Sequence, residues 1–392
     1  MPSVDSRASL FGQSRPDVLV VGAGIMGLWA AFMAARAGLS VVVADRDHIG
    51  AGASGGLLGA LMPHLPDRWN DKKQFQLQAL VSLEDEIAAL EAQTGLSAGY
   101  RRSGRLIPLA AAHHRDRALR HSADAATAWT CEGRSFSFDV LDTPPLSGWP
   151  DAAIAETGVA FDHLAGRVSP RKLLALLGKA LDDAPRVRVL TGADVLTIDP
   201  LARVAHIGDG DEIAFGHVII SAGVGSFKFL HDLVPVEGKP VGVAVKGQAA
   251  LFKADIDPSL PILFDSGTYV VPHEEGYCAV GSTSEESFDD AAATDALLDG
   301  VVEKAFTLAP VLRRATLIER WAGLRPKAIG RDPMAGAHPD FGAVSLLTGG
   351  FKISFGVAHE LARAVVTQIN GGSLGLPPSF KVAAHLEAAR RR

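Results

Sequence analysis

Cysteine is nearly absent from this 392-residue chain: Cys131 and Cys278 are its only two, far apart and without C-x-x-C spacing. That excludes a disulfide framework and a cysteine zinc site, and it fits a reducing cytoplasm. No other metal-ligand set is expected. Charge of one sign is also lacking, because a formal net charge of −6 supplies no global attraction for nucleic acid or anionic lipid. Residues 1–15 hold two arginines and no apolar run long enough for a signal sequence, so they read as a disordered leader. Long hydrophobic runs are missing with one exception. Residues 18–35 pass 18 positions without a charge, near the lower limit for a membrane span. Three glycines break the run, and burial on both faces of a parallel sheet explains it better. No internal repeat or low-complexity tract appears. What remains is an ordinary globular profile, 47% apolar and 21% charged, in a chain long enough for two domains.

The most informative stretch is residues 17–45, DVLVVGAGIMGLWAAFMAARAGLSVVVAD. Residues 18–21 read as a buried parallel strand. Gly22, Gly24 and Gly27 follow in G-x-G-x-x-G spacing, then a helical run to Arg36. A second β-branched run, 41–43, leads to Asp45. Each part suits a dinucleotide. Gly22 permits the tight turn, Gly24 lets backbone N–H groups approach a pyrophosphate, and Gly27 lets the helix pack close on the strand. The helix N-terminus offers donors and a positive dipole end. Asp45 is placed to accept hydrogen bonds from a ribose diol. A glycine-rich strand–turn–helix without a ligand is the plain alternative.

Further along, residues 50–59 (GAGASGGLLG) are dense in small residues, which suits either a second wall around the cofactor, with backbone donors near Ser54, or a flexible surface loop. Residues 73–93 show helical apolar spacing, and the texture then shifts to short strands and a charged helix over 113–128. Ser169 and Pro170 look like the N-cap and first residue of a helix over 171–181. Runs at 187–190, 193–198 and 217–220 resume the parallel-sheet style, and Ser221–Gly225 is another glycine-rich strand end. Residues 240–281 alternate as a sheet with a hairpin turn at 274–276. Helices are expected over 295–309 and 356–370, with a strand at 344–347.

The ordered motifs resemble those of the D-amino-acid oxidase superfamily of FAD enzymes, in its glycine oxidase, sarcosine oxidase and D-amino-acid dehydrogenase branch. The matching pieces are VVGAGIMG with Asp45, GASGGLLGALMP, GRVSPRKLLALL, GADVLTI, VIISAGVGS, VKGQ, TYVVPHEEGYCAVGSTSEE, RWAGLRP and LLTGGFKISFGVAHELARAV. They cover nearly the whole chain beyond Asp17. The fold class this implies is α/β plus α+β: a Rossmann-like FAD-binding domain over 16–65, 165–235 and 332–392, and an antiparallel-sheet substrate domain over 66–164 and 236–331. FAD, held non-covalently, would contact Gly22, Gly24, Ile25, Met26, Gly27, Asp45 and Arg46. It would also border Ala53, Ser54, Gly55, Leu58 and Gly59, then Val195, Ala222 and Gly223, and finally Gly350, Phe351, Lys352 and Ile353.

The resemblance gives Arg325 the grip on a substrate carboxylate and Tyr269 a supporting contact. A guanidinium does meet both oxygens of a carboxylate in a fork, although a structural arginine paired with a nearby acid is the alternative. Lys352 stands where glycine oxidase-like members carry an arginine. It either holds a second carboxylate, neutralises reduced flavin, or is a surface lysine. Tyr269 is either a substrate contact or core. His64, His273 and His359 are read as scaffold. The implied reaction is hydride transfer from substrate Cα to the flavin, leaving an imine that hydrolyses, with O2 or another acceptor reoxidising the flavin. Ala279 replaces the oxygen-activating lysine of sarcosine oxidase-like members, which leaves oxidase against dehydrogenase open. A quinone-linked dehydrogenase, a sarcosine- or iminodiacetate-type secondary amine oxidase and a tRNA-modifying carboxymethylamine oxidase are the alternatives. The expected partners are a small amino acid or amine carboxylate and an electron acceptor, with no nucleic acid, no membrane span, and a homo-oligomer left open.

Overall fold

A computed structural model describes residues 15–235 and 239–391. The expected leader over 1–15 lies, except for Arg15, outside the described residues. Leaving aside two-residue strands and single 3₁₀ turns, the chain opens with β1 (Val18–Val21), α1 (Ile25–Arg36), β2 (Val41–Asp45) and α2 (Asp71–Thr94). It continues through β3 (Arg105–Pro108), α3 (Ala112–Ala128), β4 (Phe138–Leu141), β5 (Val159–Asp162) and α4 (Pro170–Asp182). Next come β6 (Val187–Thr191), β7 (Val195–Asp199), β8 (Val204–Ile207), β9 (Glu212–Ala214), β10 (His217–Ile220) and α5 (Gly225–Leu233). The sequence then runs through β11 (Gly242–Lys253), β12 (Ile262–Asp265), β13 (Thr268–His273), β14 (Tyr277–Gly281), α6 (Ala296–Leu308) and β15 (Thr316–Ala328). It closes with β16 (Met334–Ala337), β17 (Val344–Thr348), α7 (Ser354–Ile369) and α8 (Val382–Arg390).

One sheet has the order β6-β2-β1-β10-β17-β16 and is parallel except for β16, which runs antiparallel to β17. β1 lies near its middle and is buried on both faces. Val18 and Val20 join a core with α1, α2, α4 and α7, while Leu19 and Val21 point into a second core with α5 and α8. That two-sided burial explains why the run carries no polar residue; each such side chain gains roughly 1.5–3 kcal/mol by leaving water. α2 is capped by the Asn70 side chain, which accepts from the Lys72 and Lys73 N–H groups, and it ends at Gly95 with φ +72°. Its apolar face packs on α4 and α7.

The run expected to resume the parallel sheet at 193–198 does not. As β7 it heads a three-stranded antiparallel sheet, β7-β8-β9. The cause is the turn after it, where the Asp199 carboxylate accepts from the Leu201 and Ala202 N–H groups and folds the chain back on itself. Ser169 does occupy the N-cap position of α4, with Pro170 following, but its hydroxyl makes no capping bond.

The second large sheet has the order β15-β11-β14-β13-β12-β3-β5-β4. It is antiparallel throughout except for β12 and β3, which are parallel. β13 and β14 form the expected hairpin, with Glu275 at φ +60° in the turn. β15 goes beyond the sequence reading, which assigns no element around Trp321–Pro326. No helix among the described residues is long and apolar enough to cross a membrane.

Candidate active site

A cavity of about 1190 Å³ runs from the carboxyl ends of β1, β10 and β17 to the face of the eight-stranded sheet. Such a crevice outside the carboxyl strand ends is the usual ligand position in an open parallel sheet. At the nucleotide end the wall is backbone. Gly22 has φ +106°, and a Cβ there would lie 2.4 Å from the Ser221 carbonyl oxygen. A Cβ on Gly24 would press on the Ser54 hydroxyl at 3.1 Å, and one on Gly27 would lie 1.9 Å from the Gly22 oxygen. These gaps let the loop lie against the Ser221–Ala222 segment that follows β10 and let α1 sit directly on the loop. The Ser54 hydroxyl accepts from the Ile25 N–H at 3.0 Å, so the 50–59 loop is joined to the start of α1. The first turn of α1 carries no acidic residue.

The Asp45 carboxylate lines this cavity, but it is already engaged. Its oxygens accept from the Ala23 N–H at 2.7 Å and the Asp47 N–H at 2.9 Å. Asp45 therefore shapes the glycine loop, and each oxygen keeps a lone pair for a further donor. Arg46, Ala53, Leu58, Gly59, Val195, Ala222, Gly223, Phe351, Lys352 and Ile353 line the same cavity, with Gly22, Gly24, Ile25, Met26 and Ser54. Gly27, Gly55 and Gly350 do not. They act one layer out: a Cβ on Gly55 would lie 2.4 Å from the Gly50 oxygen, and one on Gly350 would lie 2.3 Å from the Met26 methyl group.

At the other end the wall is side chains. Trp321 and Arg325 project from β15, and Tyr269 from β13. Arg325 donates to the Thr283 carbonyl at 3.2 Å. Glu285, whose charge reaches it, is held instead by the Gln248 amide at 3.0 Å and by the Thr283 hydroxyl and faces Lys246 at 3.7 Å. Among the described residues Arg325 thus has no carboxylate partner. Burial pulls its guanidinium below the usual value, though an arginine stays charged. The guanidinium is aimed by a gap in the neighbouring strand: a Cβ on Gly247 would lie 1.9 Å from Nη2. Burial raises the Tyr269 phenol, against the pull of Arg105 and Arg325. Lys352 is lowered by desolvation and then by the charges of Arg325 and Arg331. Its ammonium has one recorded contact among the described residues, 5.6 Å from the Phe351 ring.

A family model described as FAD dependent oxidoreductase matches residues 17–364. The chain belongs to this family. It is 29% identical over 375 residues to a glycine oxidase of Pseudomonas putida, covering 93% of this chain and 97% of that one. Its fold matches the crystal structure of glycine oxidase from Geobacillus kaustophilus with a TM-score of 0.81 at 21% identity, over 94% of this chain and 98% of the other. It also matches iminodiacetate oxidase from Chelativorans sp. BNC1, with a TM-score of 0.77 at 23% identity, over 92% and 97%.

FAD is the cofactor of this flavoenzyme family, and the residues present fit it. The glycine loop leaves the space that Cβ atoms would fill, and the helix N-terminus beside it, free of acids, suits a diphosphate. Neither cysteine lines the cavity. His273 and His359 lie away from it. His273 donates from Nε2 to the Leu57 and Leu58 carbonyls at 3.2 and 3.1 Å and props the loop from below. Three residues of the flavoenzyme went beyond the sequence reading. Gly247 sits in the quoted VKGQ piece, yet its role depends on a neighbour 78 positions away. Trp321 fills the space that Gly56 and Gly323 leave open. Arg105 lines the cavity from β3 with nothing in its local sequence to mark it.

Proposed function

We propose that this flavoenzyme oxidises a small amino acid or N-substituted amino acid at the carbon bearing the amine. The observation that carries the reading is Arg325: a guanidinium in the cavity wall whose one recorded hydrogen bond goes to a carbonyl, with its direction set by Gly247. FAD, when bound, supplies the hydride acceptor. Arg325 grips the substrate carboxylate in a fork, a charge-assisted contact in a partly dry site. Tyr269, kept neutral by burial, adds an O–H donor beside it. Lys352 places a second positive charge near the same end of the cavity, which favours an anionic substrate over a neutral amine. No side-chain base is required when the amine binds unprotonated, and the resulting imine hydrolyses in water. Cofactor attachment is non-covalent and O2 takes the electrons in this reading.

The test is anaerobic mixing of the yellow protein with glycine, sarcosine, iminodiacetate, D-alanine and D-proline, followed at the flavin absorbance. Bleaching by at least one is expected, with a rate that rises with pH toward the amine pKa. Readmitted air should restore the colour within seconds to minutes. In Arg325→Ala the apparent affinity should fall by about 2–5 kcal/mol, the scale of a truncated charge pair. A yellow protein that none of these amines bleaches, or an unchanged affinity in Arg325→Ala, would sink the proposal.

A further inference from the structure

The sheet face that carries Arg325 and Tyr269 also carries a second arginine. Arg105 opens β3, in register with Asp162 of β5 and Ile262 of β12. It is 5% exposed and lines the cavity. Its Nη2 donates to Asp162 Oδ2 at 2.6 Å, and its guanidinium carbon stands 5.6 Å from the centre of the Phe264 ring. The pair is unequal. Asp162 is fully supplied, since its other oxygen accepts from the Leu164 and Ala165 N–H groups at 2.9 and 3.0 Å. Arg105 is not, because its Nε is buried without a hydrogen-bond partner. A guanidinium has five N–H donors in a rigid fork, and leaving one dry costs about 1–3 kcal/mol. Arg105 Nη1 likewise has no recorded hydrogen bond and, unlike Nε, is not shut away from the cavity, which leaves that arm of the fork for a group inside it.

We propose that Arg105 binds a second anionic group, at the far end of the substrate from the carboxylate held by Arg325. The inference rests on the function proposed above and narrows its substrate class. In the sheet order β15-β11-β14-β13-β12-β3 the two arginines stand five strands apart. At ~4.8 Å per strand the chains that carry them are separated by roughly 24 Å. Two arginine side chains leaning inward cannot close that distance on one carboxylate. Tyr269, on β13 between them, is near enough to feel both charges. A substrate running from Arg325 past Tyr269 to Arg105 is therefore an amino acid with an acidic group several bonds beyond its amine. Glycine would occupy only one end of the site.

The experiment uses the FAD-loaded protein and straight-chain α,ω-dicarboxylates from malonate to suberate, each beside the monocarboxylate of equal length. Dissociation constants are read from the flavin spectral shift. The longer dicarboxylates should bind about tenfold or more tightly than their matched monocarboxylates, the scale of one charge-assisted contact. Malonate should show no such gain. Removing Arg105 alone would strand a buried Asp162, so Arg105→Gln is combined with Asp162→Asn, whose amide oxygen still accepts from the Leu164 and Ala165 N–H groups. The double variant should lose the gain and keep wild-type acetate affinity, while Arg105→Lys should retain part of it. A gain that is flat with length, or one that survives the double variant, would overturn the assignment. Acetate affinity that does not depend on Arg325 would instead overturn the function proposed above, so the two failures are distinguishable.

Discussion

At one end of the cavity the wall is backbone, where Gly22, Gly24 and Gly27 leave gaps that a single methyl group would fill. At the other end it is Arg325, Tyr269, Trp321 and Arg105, side chains from strands that are distant in sequence. The contrast shows how the two jobs are divided. In the function proposed above, the diphosphate, the same in every substrate cycle, falls to fixed backbone groups, and the substrate, which defines the individual enzyme, falls to replaceable side chains on a rigid sheet.

The largest effects expected come from placing the same methyl group at each end. Gly27→Ala puts its Cβ 1.9 Å from the Gly22 oxygen, a backbone atom with no room to yield. The variant should purify largely without flavin, read as the ratio of visible to ultraviolet absorbance. Gly247→Ala puts its Cβ 1.9 Å from the Arg325 guanidinium, the end of a flexible chain. It should keep its flavin and lose carboxylate affinity by about tenfold or more, as the fork is turned away. A Gly247→Ala protein that loses flavin, or a Gly27→Ala protein that keeps it, would break the division between the two ends.

A second prediction concerns acid. Burial holds His217 and His273 at about 4 and His359 at about 3. In the unfolded chain each would take up a proton near the ordinary value of about 6.5. Below that pH the unfolded state binds more protons, so stability falls as pH drops from about 6.5 toward 4 and is unaffected above it. The urea midpoint should therefore be lower at pH 5 than at pH 7.5, and equal at pH 7.5 and 8.5. Replacing His273 with Gln should reduce the pH dependence, while exposing the loop that its Nε2 supports at Leu57 and Leu58. A midpoint that does not move between pH 7.5 and 5 would contradict this. The smallest effect is expected at Ser54. Removing the hydroxyl that accepts from the Ile25 N–H should weaken FAD retention by about 1 kcal/mol, roughly fivefold, without changing carboxylate binding.

The same contrast explains what could be read from sequence. The nucleotide end is local: strand, glycines, helix and acid fall within 29 residues, and β1, α1 and β2 lie where their periodicity puts them. Asp45 was legible as a member of that end, but its bonds to Ala23 and Asp47 were not, because they depend on how the loop closes. Arg325 and Tyr269 could be named through family likeness, and the structure brings both to the cavity. The reason Arg325 points as it does could not, since it lies in the missing side chain of Gly247 on the next strand. Arg105 and Asp162 are 57 positions apart and ordinary in isolation, so only strand register reveals them as a pair. The misreading of 193–198 has a similar origin. A β-branched run states that a strand exists, and the Asp199 turn decides which sheet receives it.

The order of strands in the parallel sheet bears on how the protein is made. β1 pairs with β10, which follows it nearly 200 residues later in the chain, and β17, which flanks β10, comes later still. Such non-local pairing slows assembly. Until the segment around 344–348 has been translated, the crevice has no far wall and β10 has an open edge. FAD capture thus waits for the segment at 344–348, which makes yellow colour a measure of chains folded past that point rather than of chains begun.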